Sequence, residues 1–109
     1  MEGLELISFQ IISTVGTARS QYIHAIKKAK NFAFEEARSL IQKGEEAFVE
    51  GHKIHAQLIQ QEASGQQASI NLLIVHAEDQ LMSAEAFKII AEEFIDVYTM
   101  IYKHQKETA

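Results

Sequence analysis

The chain has neither cysteine nor proline in its 109 residues. The first absence excludes a disulfide framework, a zinc–thiolate site and thiol catalysis. The second removes the strongest breaker of helices. No apolar run approaches the length needed to span a bilayer. The opening residues Met1-Glu2-Gly3-Leu4-Glu5 are acidic where a secretory signal would be basic. A soluble, cytoplasmic protein with no membrane insertion is the expectation. Basic charge is also scarce, and a formal net charge of −5 argues against nucleic acid as a partner. The one basic cluster, Lys27, Lys28 and Lys30, falls in the last turn of a predicted helix. Cations there oppose the helix macrodipole favourably, which is preferred here to a phosphate-binding patch.

What the chain does have is apolar residues in helical rhythm. At 47% hydrophobic it can build a core, and its length suits a single domain over 1–109. The spacing predicts an all-α, antiparallel three-helix bundle with helices over about 1–30, 34–62 and 70–106, arranged up-down-up. The first carries Leu4, Ile7, Ile11, Val15, Ala18, Tyr22 and Ile26 at intervals of three or four. The second carries Ala37, Leu40, Ile41, Gly44, Ala47, Phe48, Gly51, Ile54 and Leu58 on one side. Gly44 and Gly51 each cost a helix about 1 kcal/mol relative to alanine. Their seven-residue spacing puts both on one face, so a close helix–helix approach is expected to compensate. Gly65 suits a C-terminal cap and Ser69 an N-terminal one.

The third helix, about 50 Å long at about 1.5 Å per residue, has more apolar surface than two neighbours would cover. One stripe is Leu73, Ala77, Leu81, Ala84, Lys88 and Ala91, joined by Phe87, Phe94, Tyr98 and Ile101. A second is Leu72, Val75, Asp79, Met82, Ala86 and Ile89, spaced 3-4-3-4-3 as in a coiled-coil seam. On a lone protomer that seam would be an association hazard, so the third helix is expected to pair with copies of itself. Asp79 occupies a seam position, and association would gather several carboxylates at the symmetry axis. Ionised together they would repel, so either some hold protons or a hard divalent cation, magnesium by preference, sits among them. The plainer alternative has Asp79 facing solvent from a frayed seam.

Five histidines are present. His24 and His104 read as surface residues. His52 and His55 have a spacing that can chelate a metal, but no third ligand is evident nearby, and a structural or surface role is preferred. His76 stands in the densest apolar segment, beside Glu78 and Asp79. An ionisable group in such a place costs folding energy unless it is satisfied or used. Zinc hydrolysis would need a pattern such as His-Glu-x-x-His, which is missing. Acyl transfer would need a nucleophile elbow, which is missing too. Phosphoryl relay asks for less: a neutral imidazole is a good nucleophile near pH 7 and a good leaving group once phosphorylated.

The segment LLIVHAEDQLMSA, Leu72 to Ala84, resembles the active-site helix of the lactose/cellobiose-specific enzyme IIA family of the bacterial phosphoenolpyruvate-dependent sugar phosphotransferase system, where the pattern is His-Ala/Gly-Gln-Asp-His-Leu-Met. The likeness extends over Ala47 to Gly65, including His52 and the Glu62-Ala63-Ser64-Gly65 turn, and over Gly16 to Ser20. The resemblance implies a trimer built around the third helices and a phosphoryl carrier serving lactose/cellobiose-type sugar uptake. It implies that His76 takes the phosphoryl group from phospho-HPr and passes it to a cysteine of enzyme IIB. It also implies that Asp79, one from each subunit, lies at the trimer axis and can bind a divalent metal, with Gln80 and Glu78 in supporting positions. The sequence departs from the pattern at three places: Glu78 stands for a glutamine, Gln80 for a second histidine, and His55 where many relatives have glutamine. A two-component histidine phosphotransfer domain lacks support, since its lysine–glycine pattern is absent. A non-catalytic helical oligomer acting as adaptor or regulator, with His76 inert, is the remaining alternative.

Overall fold

The computed structural model describes residues 3–66 and 70–108. Three helices account for nearly all of them: α1 (Gly3–Lys30), α2 (Phe34–Ala63) and α3 (Leu72–Thr108). They lie along one another in a rod 63 Å long and 23 by 20 Å across. No strand occurs among the described residues. α1 is the central element, packing extensively on both neighbours, whereas α2 and α3 meet each other least.

The helix ends follow from local chemistry. At the end of α1, Ala33 N–H donates to Lys28 O and Phe32 N–H to Ala29 O, at 3.0 and 2.9 Å. This is a Schellman closure, and it requires a left-handed residue. Phe32 fills that position at φ 61° without being glycine. The conformation costs an L-residue roughly 1–2 kcal/mol. In return its ring joins Phe34 and Tyr102, with centroids 6.0 and 5.1 Å away. At the end of α2 the same closure uses the predicted Gly65, at φ 95°, with Gln66 N–H on Gln61 O and Gly65 N–H on Glu62 O, both 3.1 Å. α3 starts two residues later than predicted because Asn71 caps it: its Oδ1 accepts from Ile74 N–H at 2.9 Å. The predicted cap Ser69 lies outside the described residues. Lys27, Lys28 and Lys30 do occupy the last turn of α1, and Lys28 reaches Glu36 at 3.0 Å.

The core runs the length of the rod. Ile11, Val15, Leu58, Ile74, Ala77, Leu81 and Ala84 form one end. Ala18, Tyr22 and Ala91 form the middle, and Ala25, Ala29, Ala37 and Ile95 the other end. On α2 the buried positions are Ala37, Gly44, Gly51 and Leu58, a strict seven-residue row. The glycines are there for close approach. A Cβ on Gly51 would lie 2.5 Å from Thr14 Oγ1 and 2.7 Å from Val15 Cγ1, and one on Gly44 would run into the Tyr22 ring.

Two details of the third helix differ from the predicted stripe. Phe94 and Ile101 are exposed, while Ile74 and Ile95 are buried. The core row steps Ile74, Ala77, Leu81, Ala84, Ala91, Ile95. At about 100° per residue, Phe94 and Ile101 fall roughly a quarter-turn or more outside that row. The second predicted stripe is entirely uncovered in the protomer. Leu72 is 84% and Met82 66% exposed, and Val75, Asp79, Ala86 and Ile89 are exposed as well.

Candidate functional site: His76 and the open face of α3

His76 lies in the second turn of α3, just inside the Asn71 cap, and its side chain is exposed. No acidic residue occupies the first turn, so the positive end of the helix macrodipole is left uncompensated. Ala77, next in sequence, is buried and pins the turn against the core. Gln80, one turn on, shares the His76 face and is half-buried.

Of the two nearby carboxylates, Asp79 lies about 60° round the helix from His76, and only Glu78 turns to another helix. Glu78 points about 160° away from His76 round the helix and reaches α2, where His55 Nε2 lies 2.6 Å from its Oε1. The His55 side chain is 12% exposed and that of Glu78 41%. Asp79 projects from the uncovered row, flanked by Val75 and Met82. The imidazole of His76 is therefore exposed in the protomer, with Glu78 on the far flank engaged by another helix and Asp79 on the neighbouring, uncovered row.

Residues 6–99 match the family described as the PTS system, lactose/cellobiose-specific IIA subunit. The chain belongs to this family. It is a phosphotransferase component, a phosphoryl carrier of the kind that serves cellobiose- and lactose-type sugars. It is 42% identical over 100 residues to the lichenan-specific phosphotransferase enzyme IIA component of Bacillus subtilis (strain 168), covering 92% of this chain and 91% of the relative. The cellobiose-specific enzyme IIA of Bacillus anthracis has the same fold at a TM-score of 0.92, with 40% identity and 94% of each chain covered. The chitobiose IIA of Escherichia coli, solved in complex with HPr, aligns at a TM-score of 0.80 and 27% identity over 94% of this chain and 99% of its own.

The other histidines of this IIA subunit have plain positions. His24 and His104 are exposed. His52 stacks on Phe48, with centroids 5.9 Å apart, and His55 turns to Glu78, so the two do not converge as a chelating pair. Among the described residues no three acidic or histidine side chains gather within one protomer to hold a metal. A second polar cross-link ties α2 to α3 at mid-rod, where Lys88 Nζ lies 2.7 Å from Glu45 Oε2. The hydrogen bond to Glu45 raises the Lys88 pKa. Tyr22 is fully buried beneath this pair, and burial, reinforced by the Glu45 and Glu92 carboxylates, pushes its phenol well above the ordinary range. Arg19 lies over the Phe87 ring at 4.9 Å. Reading the sequence missed the His55–Glu78 contact. The available signal was that both positions depart from the pattern the rest of the chain resembles.

None of the three helices is long and apolar enough to cross a membrane, among the described residues.

Proposed function

We propose that His76 accepts a phosphoryl group from phospho-HPr and passes it to a cysteine of the cognate enzyme IIB. An imidazole nitrogen of His76 attacks the phosphorus, and a new P–N bond forms as the donor's P–N bond breaks. In the second step the cysteine thiolate attacks, a P–S bond forms as the P–N bond to His76 breaks, and the ring, which keeps a proton on its other nitrogen, leaves as neutral imidazole. The observation that carries this reading is an exposed histidine held by a capped, core-anchored turn, with Glu78 drawn off to α2. The HPr complex of the chitobiose relative supports HPr as the donor here.

The uncovered row Leu72, Val75, Met82, Ala86 and Ile89 is read as the contact between protomers, assembling a trimer about the third helices. Asp79 then meets its two symmetry mates at the axis. Oxygen ligands from several protomers suit a hard divalent cation such as magnesium, which would neutralise carboxylates otherwise forced together. Gln80, on the His76 face, is a hydrogen-bonding neighbour for the phosphoryl oxygens.

Incubation of the purified protein with phosphoenolpyruvate, enzyme I and HPr tests the carrier reading. The expected outcome is one acid-labile phosphoryl group per protomer, lost in H76A, with the variant still folded and trimeric by circular dichroism and sedimentation. A folded oligomer that takes no label from active donors would leave the non-catalytic adaptor in its place. Loss of the trimer in H76A would contradict the separation of the reactive residue from the assembly seam.

A further inference from the structure

Two polar cross-links join α2 to α3 among the described residues, and only one lies near His76: the 2.6 Å contact of His55 Nε2 with Glu78 Oε1. Its members are Glu78, two residues along α3 from His76, and His55 on α2. A carboxylate thus stands two residues along the chain from the proposed phosphorylation site, with a histidine ring against it. A phosphoryl group on imidazole brings close to two negative charges to α3, and a free carboxylate nearby disfavours its arrival. When His55 carries both ring protons, the pair is net neutral and the short hydrogen bond is charge-assisted.

We propose that His55 is a positioning residue for phosphoryl transfer at His76: it holds Glu78 against α2 and cancels its charge, keeping a carboxylate beside the site from repelling the incoming phosphoryl group. The proposal rests on the carrier reading above. Side chains on opposite flanks of one helix put the two charges on the order of 10 Å apart. Across that separation in a water-like medium, an uncompensated carboxylate slows arrival of the phosphoryl group about two- to fourfold at low salt.

The test is the initial rate of phosphorylation by phospho-HPr for the parent, H55Q, E78Q and the double variant, at low and at physiological salt. Circular dichroism and sedimentation establish that each is a folded oligomer. H55Q is expected to be slowed about two- to fourfold at low salt, less so as salt screens the exposed charge. E78Q alone is expected to run faster than H55Q, and adding E78Q to H55Q to restore the lost rate, since a glutamine pair is neutral. A mere mechanical clamp would slow both single variants alike, show no salt dependence and give no rescue. Any of these three results overturns charge compensation by His55, as does an H55Q rate equal to the parent's. Should H55Q fail to fold, E78Q still decides: it breaks the same contact, and a rate well below the parent's overturns the proposal. A parent that takes no label overturns the carrier reading and this proposal together, whereas a labelled parent without rescue overturns this proposal alone.

Discussion

Alanine at Gly51 and at Gly16 is expected to change stability in opposite directions, although both glycines lie inside helices. In each case alanine gains up to about 1 kcal/mol of helix propensity. At Gly16 a Cβ meets nothing within 4 Å, so G16A keeps that gain. At Gly51 the Cβ would sit 2.5 Å from Thr14 Oγ1 and 2.7 Å from Val15 Cγ1. Neither neighbour is free to yield. Both are β-branched and stiff at χ1, and the Thr14 hydroxyl donates to Gln10 O and Ile11 O, at 2.8 and 3.1 Å. Overpacking of this kind costs about 1–3 kcal/mol, and rigid neighbours put Gly51 in the upper part of that range. The net expectation for G51A is a loss of about 1–2 kcal/mol, so the two variants differ by about 2–3 kcal/mol. Urea unfolding followed by circular dichroism measures this, with subunit concentration held fixed because self-association would add to apparent stability. A G51A protein as stable as the parent, or shifts of the same sign in both variants, would refute a helix spacing set by bare backbone at position 51.

The remaining expectations test the caps, the buried phenol and the seam. Replacing Asn71 by alanine removes the cap of α3 and is expected to cost about 1 kcal/mol, visible as faster amide exchange over residues 72–76. F32G relieves a left-handed strain of roughly 1–2 kcal/mol but deletes a ring in contact with Phe34 and Tyr102. Loss of a large, half-buried aromatic costs more, about 3 kcal/mol, so the variant is expected to be less stable in the same urea assay. The Tyr22 phenol is raised by burial, so the unfolded chain gives up this proton first. Its contribution is complete below the unfolded value of about 10 and fades as pH rises above it. Y22F is expected to lose less stability than the parent between about pH 10 and 11. If a cation bridges Asp79 across protomers, chelator should loosen the parent assembly in sedimentation and leave D79N unaffected by added magnesium; equal responses in both would place the cation elsewhere.

The contact between α2 and α3 bears on the proposed transfer at His76. Glu78 would be a liability beside a phosphohistidine if it stood alone. The fold provides its counterpart from a residue twenty-three positions earlier, on another helix. The His76 imidazole is exposed because the core row passes through Ala77 rather than His76.

The three helices, their order and nearly all their boundaries were legible in the sequence, because an amphipathic helix writes its period directly into the spacing of apolar residues. The seven-residue spacing of Gly44 and Gly51 signalled close packing, and the spare heptad row on α3 signalled a surface left uncovered. His76 was singled out by its company, and its chemistry by elimination and resemblance. Other features depended on where neighbouring helices sit. Spacing alone could not say that Ile74 and Ile95 are buried while Phe94 and Ile101 are not, since a wide apolar arc fixes a face but not the line along which it meets α1. Nor could it show that Phe32 would adopt a left-handed conformation, because its compensation comes from Tyr102 at the far end of the chain. The pairing of Glu78 with His55 belongs to the same class. Periodicity is a local property and is settled within a few turns of chain, whereas the partner of a charged side chain is whichever group the packed helices bring within reach.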